Sequence, residues 1–180
     1  MTMATQTEHR AGHVQPATES EATARAYVNM WNDRDYAAIS RLVSEEFVMY
    51  DPAAPAEGVT GPEGEVHGRE GLQQFMEVIS TAFPDFEVTI LEMISDEDLA
   101  MYEVELTMTH DGPLGGLPPT GRRVRIRGAS ILHLQDGTVR EHRFHTNMGE
   151  TADQLGLTFP QVIGQLPALA IGKLRLSLSR

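Results

Sequence analysis

The 180-residue sequence predicts an α+β fold in which helices cover one face of a curved antiparallel sheet. Three observations point to it. Apolar residues recur at helical spacing in the first half of the chain, and from Phe86 onward they alternate with polar ones. Asp136-Gly137 then stands between two alternating runs as a hairpin turn.

Residues 1–17 are polar and read as a disordered arm before a single domain, 18–156. Thr18 with Glu21 has the capping-box spacing and starts a helix to about Asn32, with Ala24, Tyr27, Val28 and Trp31 on one face. Asn32 to Asp35 turns the chain into a short helix, Tyr36 to Val43, and Phe47 to Tyr50 forms a short strand stopped by Asp51-Pro52. Residues 52–68, broken by Pro55, Gly58, Gly61 and Pro62, make a long loop. Gly68-Arg69-Glu70-Gly71 opens a third helix that buries Leu72, Phe75, Met76 and Ile79 and ends before Pro84. Phe86, Val88 and Ile90 begin the alternation, and Ser95 to Asp98 turns it back. The next strand puts Tyr102, Val104, Leu106, Met108 and His110 on one face and Glu103, Glu105, Thr107 and Thr109 on the other. A Gly/Pro-rich loop, Asp111 to Gly121, leads into a strand from Arg122 to Leu134, and the hairpin returns it through Val139 to Asn147. The remaining segment, 157–180, contains no acid and carries Lys173, Arg175 and Arg180. It reads as a basic apolar tail that docks on the domain or a neighbouring subunit, with Lys173 to Leu178 alternating like an edge strand.

Composition excludes several classes of function. The net charge is −12, with 26 acids against 14 bases, of which only Lys173 is lysine; nucleic acid is a poor partner for such a chain. Two readings of the acidity stay open: solubility in an arginine-rich protein, or adaptation to high salt. Zero cysteines remove disulfides and thiolate chemistry. No apolar run approaches the ~20 residues of a membrane span, and the first 18 residues lack a secretory apolar core, so a cytoplasmic location is expected.

No P-loop, G-x-G-x-x-G, H-E-x-x-H or G-x-S-x-G motif is present, so no cofactor is expected. His142 and His145 lie three residues apart on opposite faces of a strand, which argues against a metal. His110 ends an apolar strand face. It either brings an imidazole to the rim of a cavity for acid–base work or is hydrogen-bonded to the following loop. In the last strand Glu141, Arg143, His145 and Asn147 share a face. With Asp136-Gly137 as the central turn residues, Arg143 pairs with Ser130, His145 with Gly128 and Asn147 with Ile126. That register points the polar row into a pocket and leaves His142 outside with Arg123, Arg125, Arg127 and Arg140. A shift of one residue would exchange the two faces.

Six short motifs, in order, now matter together: Gly68-Arg69-Glu70-Gly71, Ala82-Phe83-Pro84-Asp85-Phe86, Thr109-His110-Asp111-Gly112, Pro118-Pro119-Thr120-Gly121-Arg122, Asp136-Gly137-Thr138-Val139-Arg140-Glu141 and Gln154-Leu155-Gly156. Over residues 20–156 the chain resembles the SnoaL-like polyketide cyclases and ester cyclases of the nuclear transport factor 2-like superfamily. The resemblance implies a conical α+β barrel around a deep apolar pocket, assembled as homodimers or homotetramers. It implies ring closure by intramolecular aldol condensation without metal or cofactor, with an aspartate near the end of the last strand as acid/base and His110 lining the pocket. That aspartate's position falls on Asn147 here, and the family's tryptophan on Arg143. Proton transfer would pass to His110, His145 or Asp51. The expected site therefore has His110 and His145 in acid–base roles and Asn147 and Arg143 holding a substrate oxygen. Glu141, Tyr27, Trp31, Tyr50, Asp51, Phe75, Tyr102 and Met108 complete the pocket. The expected ligand is a small apolar metabolite bearing a carbonyl or an anionic group. Because an amide cannot transfer a proton near neutral pH, a non-catalytic binding protein of the same fold is the alternative.

Overall fold

In the computed structural model, which describes residues 18–162, 164, 166–167 and 169–171, Thr18 caps the first helix. Its hydroxyl accepts from Glu21 N at 3.0 Å and starts α1 (Glu19–Asp33), which buries Ala24, Tyr27, Val28 and Trp31. The 1–17 arm and the Lys173 to Leu178 alternation lie outside the described residues. A 3-10 turn (Tyr36–Ala38) and α2 (Ile39–Leu42) lead straight into β1 (Val43–Tyr50). This strand is longer than predicted, because Ser44, Glu45 and Glu46 interrupt its apolar pattern. The predicted loop 52–68 contains one short strand, β2 (Glu65–His67), before α3 (Gly68–Ala82). Then come β3 (Glu87–Asp96), β4 (Leu99–Thr109), β5 (Arg123–Gln135), β6 (Thr138–Thr146) and α4 (Met148–Gln154).

The six strands form one curved, unclosed sheet in the order β2-β1-β6-β5-β4-β3. It is not wholly antiparallel as predicted: β1 runs parallel to β6. Parallel neighbours need a long crossover, and here α3 and the whole β3–β5 meander supply it. On the inner face of the sheet, Tyr102, Val104, Leu106 and Met108 of β4 join Val124, Ile126 and Leu132 of β5 in the core with α1 and α3. On the outer face Glu105 pairs with Arg125 at 2.9 Å and Glu103 with Arg127 at 3.4 Å. No helix among the described residues is long and apolar enough to cross a membrane.

The last hairpin decides which residues reach the core. Asp136 and Gly137 are both left-handed (φ 52° and 73°), so the two-residue turn forms as predicted, with Gln135 opposite Thr138 and Leu134 opposite Val139. His133 then pairs with Glu141, which makes Arg140 an extra residue on β6, a bulge. Beyond it the register is one residue from the prediction: Arg143 faces Ile131, His145 faces Ala129, and Ser130 pairs with Phe144. Since side chains alternate, that single step exchanges the faces. His142 is buried, while Arg143 and His145 join Arg123, Arg125, Arg127 and Arg140 on the exposed side.

Asn147 leaves the strand altogether. It is the N-cap of α4, an element the sequence reading missed, and its Oδ1 accepts from Glu150 N at 3.2 Å. Asn147→Ala should lower stability by about 1 kcal/mol in urea unfolding, whereas Asn147→Asp, which caps equally well, should be neutral. Equal losses in both variants would remove capping as this residue's role. After α4, Leu157 packs against the core; Phe159 is 79% exposed, and Leu166 and Ile171 are 55% exposed.

Candidate active site

The concave face of the sheet, α1 and α3 enclose a cavity of about 270 Å³. Its wall is largely apolar, with Trp31, Phe75, Phe86, Leu106 and Met108 prominent. Trp31 meets Phe75 edge-to-face at 5.9 Å and Phe86 at 6.1 Å, which fixes the indole against two elements. Leu114 and Leu117 of the loop after β4, with Met148 and Thr151 of α4 and Leu155 just after it, complete the wall.

Seven polar side chains interrupt this surface: Tyr27, Asp51, Tyr102, Ser130, His142, Thr146 and Thr151. Asp51 follows β1, where the Asp51-Pro52 break turns the chain, and is only 7% exposed. Its Oδ1 accepts from Ala53 N at 2.8 Å. Burial raises its pKa to about 6, and the Ala53 hydrogen bond offsets part of that rise. Tyr27 comes from the buried stripe of α1. Burial holds its pKa far above the ordinary phenol value; a Trp31 hydrogen bond offsets part of that rise, and the Asp51 charge adds to it. It therefore remains an O–H donor. His142 enters from β6 because of the bulge; burial lowers its pKa to about 3, so the imidazole is neutral. Its Nδ1 lies 3.2 Å from Tyr27 Oη and its Nε2 3.0 Å from Ser130 Oγ. Tyr102 is the cross-strand partner of Ser130 and is likewise held protonated by burial.

Of the residues expected at the site, Tyr27, Trp31, Asp51, Phe75, Tyr102 and Met108 line the cavity. Tyr50, Glu141, Arg143 and His145 are not among the lining residues. Arg143 sits over the Tyr50 ring at 5.7 Å and donates to Glu141 at 2.6 Å, a surface cluster produced by the register step. Asn147 caps α4. His110 is fully buried beside Phe83, at 5.2 Å, and takes the loop-bound of its two expected placements. Its Nδ1 accepts from Thr120 N at 3.2 Å, which ties the 111–121 loop to the end of β4. Burial lowers its pKa, and its Nε2 has no hydrogen-bond partner among the described residues.

His142 is the pocket group the sequence reading placed on the outer face; Ser130 was on the pocket side but not among the expected site residues. A usable signal existed. Val139 and Phe144, the two apolar residues of β6, are an odd number of positions apart, so both can face the core only if a bulge intervenes.

A family model for the SnoaL-like polyketide cyclases matches residues 21–155. Aklanonic acid methyl ester cyclase DauD of Streptomyces sp. (strain C5) is 27% identical over 124 residues, covering 68% of this chain and 75% of that protein. Among solved structures, AclR of Streptomyces galilaeus is 28% identical with a TM-score of 0.63, covering 78% of this chain and 97% of its own. IdmH of Streptomyces antibioticus, assigned as a polyketide cyclase, is 25% identical with a TM-score of 0.65, covering 77% and 98%. With the family model spanning most of the chain and the same fold around an apolar cavity, the protein belongs to the SnoaL-like polyketide cyclase family.

Proposed function

We propose that the protein closes a ring by intramolecular aldol chemistry on a small, apolar, uncharged ester, with Asp51 as the proton-transfer group. One observation carries this reading: among the described residues lining the cavity, Asp51 is the only carboxylate, and it titrates near pH 6. Such a group is ionised at neutral pH yet a stronger base than an exposed aspartate, the balance general base catalysis requires. Asp51 takes the proton from a carbon next to a carbonyl, and the C–H electron pair passes to that carbonyl oxygen, which accepts a hydrogen bond from Tyr27. The enolate carbon then attacks a second carbonyl carbon of the same molecule. A C–C bond forms, the C=O π pair becomes an alkoxide, and protonated Asp51 returns its proton there. Atoms and charge balance without a co-reactant. The aromatic wall holds the flexible chain in the folded pose that brings the two carbons together.

A ligand with a carbonyl or an anionic group was expected, the anionic choice because of Arg143. That guanidinium lies outside the cavity, and no Lys or Arg is among the described residues that line it, which favours a neutral ester over a free acid. Aklanonic acid methyl ester, named for the relative DauD, is therefore the first compound to assay. The wild type should convert it or a related polyketide ester. Asp51→Asn should not, and Asn147→Asp should leave turnover nearly unchanged. The opposite pattern, with Asn147→Asp creating activity and Asp51→Asn indifferent, would favour the non-catalytic binding reading.

A further inference from the structure

Tyr27, His142 and Ser130 form a buried chain that the aldol step leaves only partly used. Its two contacts, 3.2 Å and 3.0 Å, join α1 to β6 and β6 to β5, and all three residues line the cavity. The imidazole is neutral, so it carries one N–H and one lone pair. Ser130 also hydrogen-bonds Tyr102, so four hydrogens (three hydroxyl, one imidazole) serve three contacts, and one hydrogen is left over at one end of the chain. With the proton on Nε2, His142 donates to Ser130, Ser130 to Tyr102 and Tyr27 to Nδ1, and the spare O–H is on Tyr102. With the proton on Nδ1, Tyr102 donates to Ser130, Ser130 donates to Nε2, Nδ1–H donates to Tyr27 Oη, and the Tyr27 O–H is free for the cavity.

We infer that His142 is a positioning residue: it shifts to the Nδ1–H tautomer when a carbonyl oxygen occupies the cavity, and so makes Tyr27 a donor to that oxygen. Ser130 sets the tautomer from the other side. The proposal rests on the reading of Tyr27 as the carbonyl-binding group and extends it to what arms that group. Accepting from Nδ1–H while donating to the ligand polarises the phenol, which strengthens its hydrogen bond in a low-dielectric pocket. A protonated imidazole would donate on both sides and bury a charge; a neutral one can exchange donor and acceptor roles without net charge movement. His142 also meets the Tyr27 ring edge-on at 5.5 Å, so the two rings cannot slide apart to satisfy their polar atoms elsewhere.

The test uses 2-acetonaphthone, an apolar ring system whose carbonyl can only accept, and needs no turnover. In long-range ¹H–¹⁵N spectra of the imidazole-labelled protein, His142 should be neutral with and without the ketone, and the Nδ1–H form should predominate once it is bound. Ser130→Ala should return the imidazole towards Nε2–H and weaken ketone binding about tenfold, the size of one good hydrogen bond. Tyr27→Phe should weaken it as much, and the double variant no further, because the two residues act through one chain. A tautomer unmoved by the ketone, additive losses in the double variant, or a ketone that does not bind would each overturn the proposal. A purely structural chain would alter unfolding without moving the tautomer. Failure here leaves the Asp51 result standing, and failure of Asp51→Asn to affect turnover leaves the tautomer result standing, so the two readings fall separately.

Discussion

Asp51→Asn is expected to cost at least about a thousandfold in kcat/KM while making the folded protein more stable at neutral pH. Asparagine keeps the acceptor for Ala53 N but cannot move a proton. The stability gain follows from the raised pKa. Between 3.8 and about 6 the folded wild type binds a proton that the unfolded chain has released, so its stability falls as pH rises through that window. Above it, the ionised carboxylate costs about 3 kcal/mol relative to an unshifted one. Asparagine escapes that cost, so the gain should be greatest above pH 6 and vanish below pH 4. His142 acts in the opposite sense. Its depressed pKa means that the unfolded chain binds the extra proton between about 3 and 6.5, so stability rises with pH there. In the wild type the two slopes oppose each other from about pH 4 to 6, and Asp51→Asn exposes the histidine's alone. Urea unfolding across this range checks both signs, and identical curves for the two proteins would mean that Asp51 is not a buried ionisable group. The kcat/KM profile of the wild type should rise with pH through a midpoint near 6.

Gly112→Ala should be the most destabilising small substitution in the domain. A Cβ there would run into the Thr81 carbonyl oxygen, a backbone atom at the end of α3 that cannot yield as a side chain can. Gly112 N and Asp111 N both donate to Ala82 O, at 3.0 and 3.1 Å, so the added methyl separates the loop from the helix end it is fastened to. Overpacking plus the weakened hydrogen bonds amounts to about 3 kcal/mol. In a chain of this size that is a fall in Tm of roughly 6–12 °C. Because Leu114 and Leu117 reach the cavity from the same loop, ketone binding should weaken as well. A variant with wild-type Tm would show that the loop does not rest on α3 in this way.

The two amphipathic helices and the strand from Tyr102 to Met108 were legible because one period ran unbroken through each. Wherever a single residue broke the period, inference from spacing failed. The Asp136-Gly137 turn is where the sequence places it, but Arg140 adds one residue and carries His142 inward and His145 outward. Local turn chemistry says nothing of a bulge four residues away; the odd spacing of Val139 and Phe144 does. Helix α4 was missed since only Thr151 of its seven residues is buried, although Asn147 and Glu150 have cap spacing. Asp51 was recognisable as a candidate, but its burial depends on residues far along the chain, and so does its chemistry.

Parallel β1 and β6 join parts of the chain more than half its length apart, Val43 to Val139 and Tyr50 to Arg143, whereas β3 to β6 meet through two turns and one loop. Closing so long a segment is expected to come late in folding. Asp51 follows β1 and His142 lies in β6, so this late contact also assembles the polar end of the cavity. In pulsed hydrogen exchange during refolding, the amides of β4 and β5 should gain protection before those of β1; simultaneous protection would remove that order. A chain halted short of this last pairing would have an apolar sheet able to hold greasy molecules but no Asp51 at its polar end; on the proposed role of Asp51, the appearance of activity would report the completion of folding.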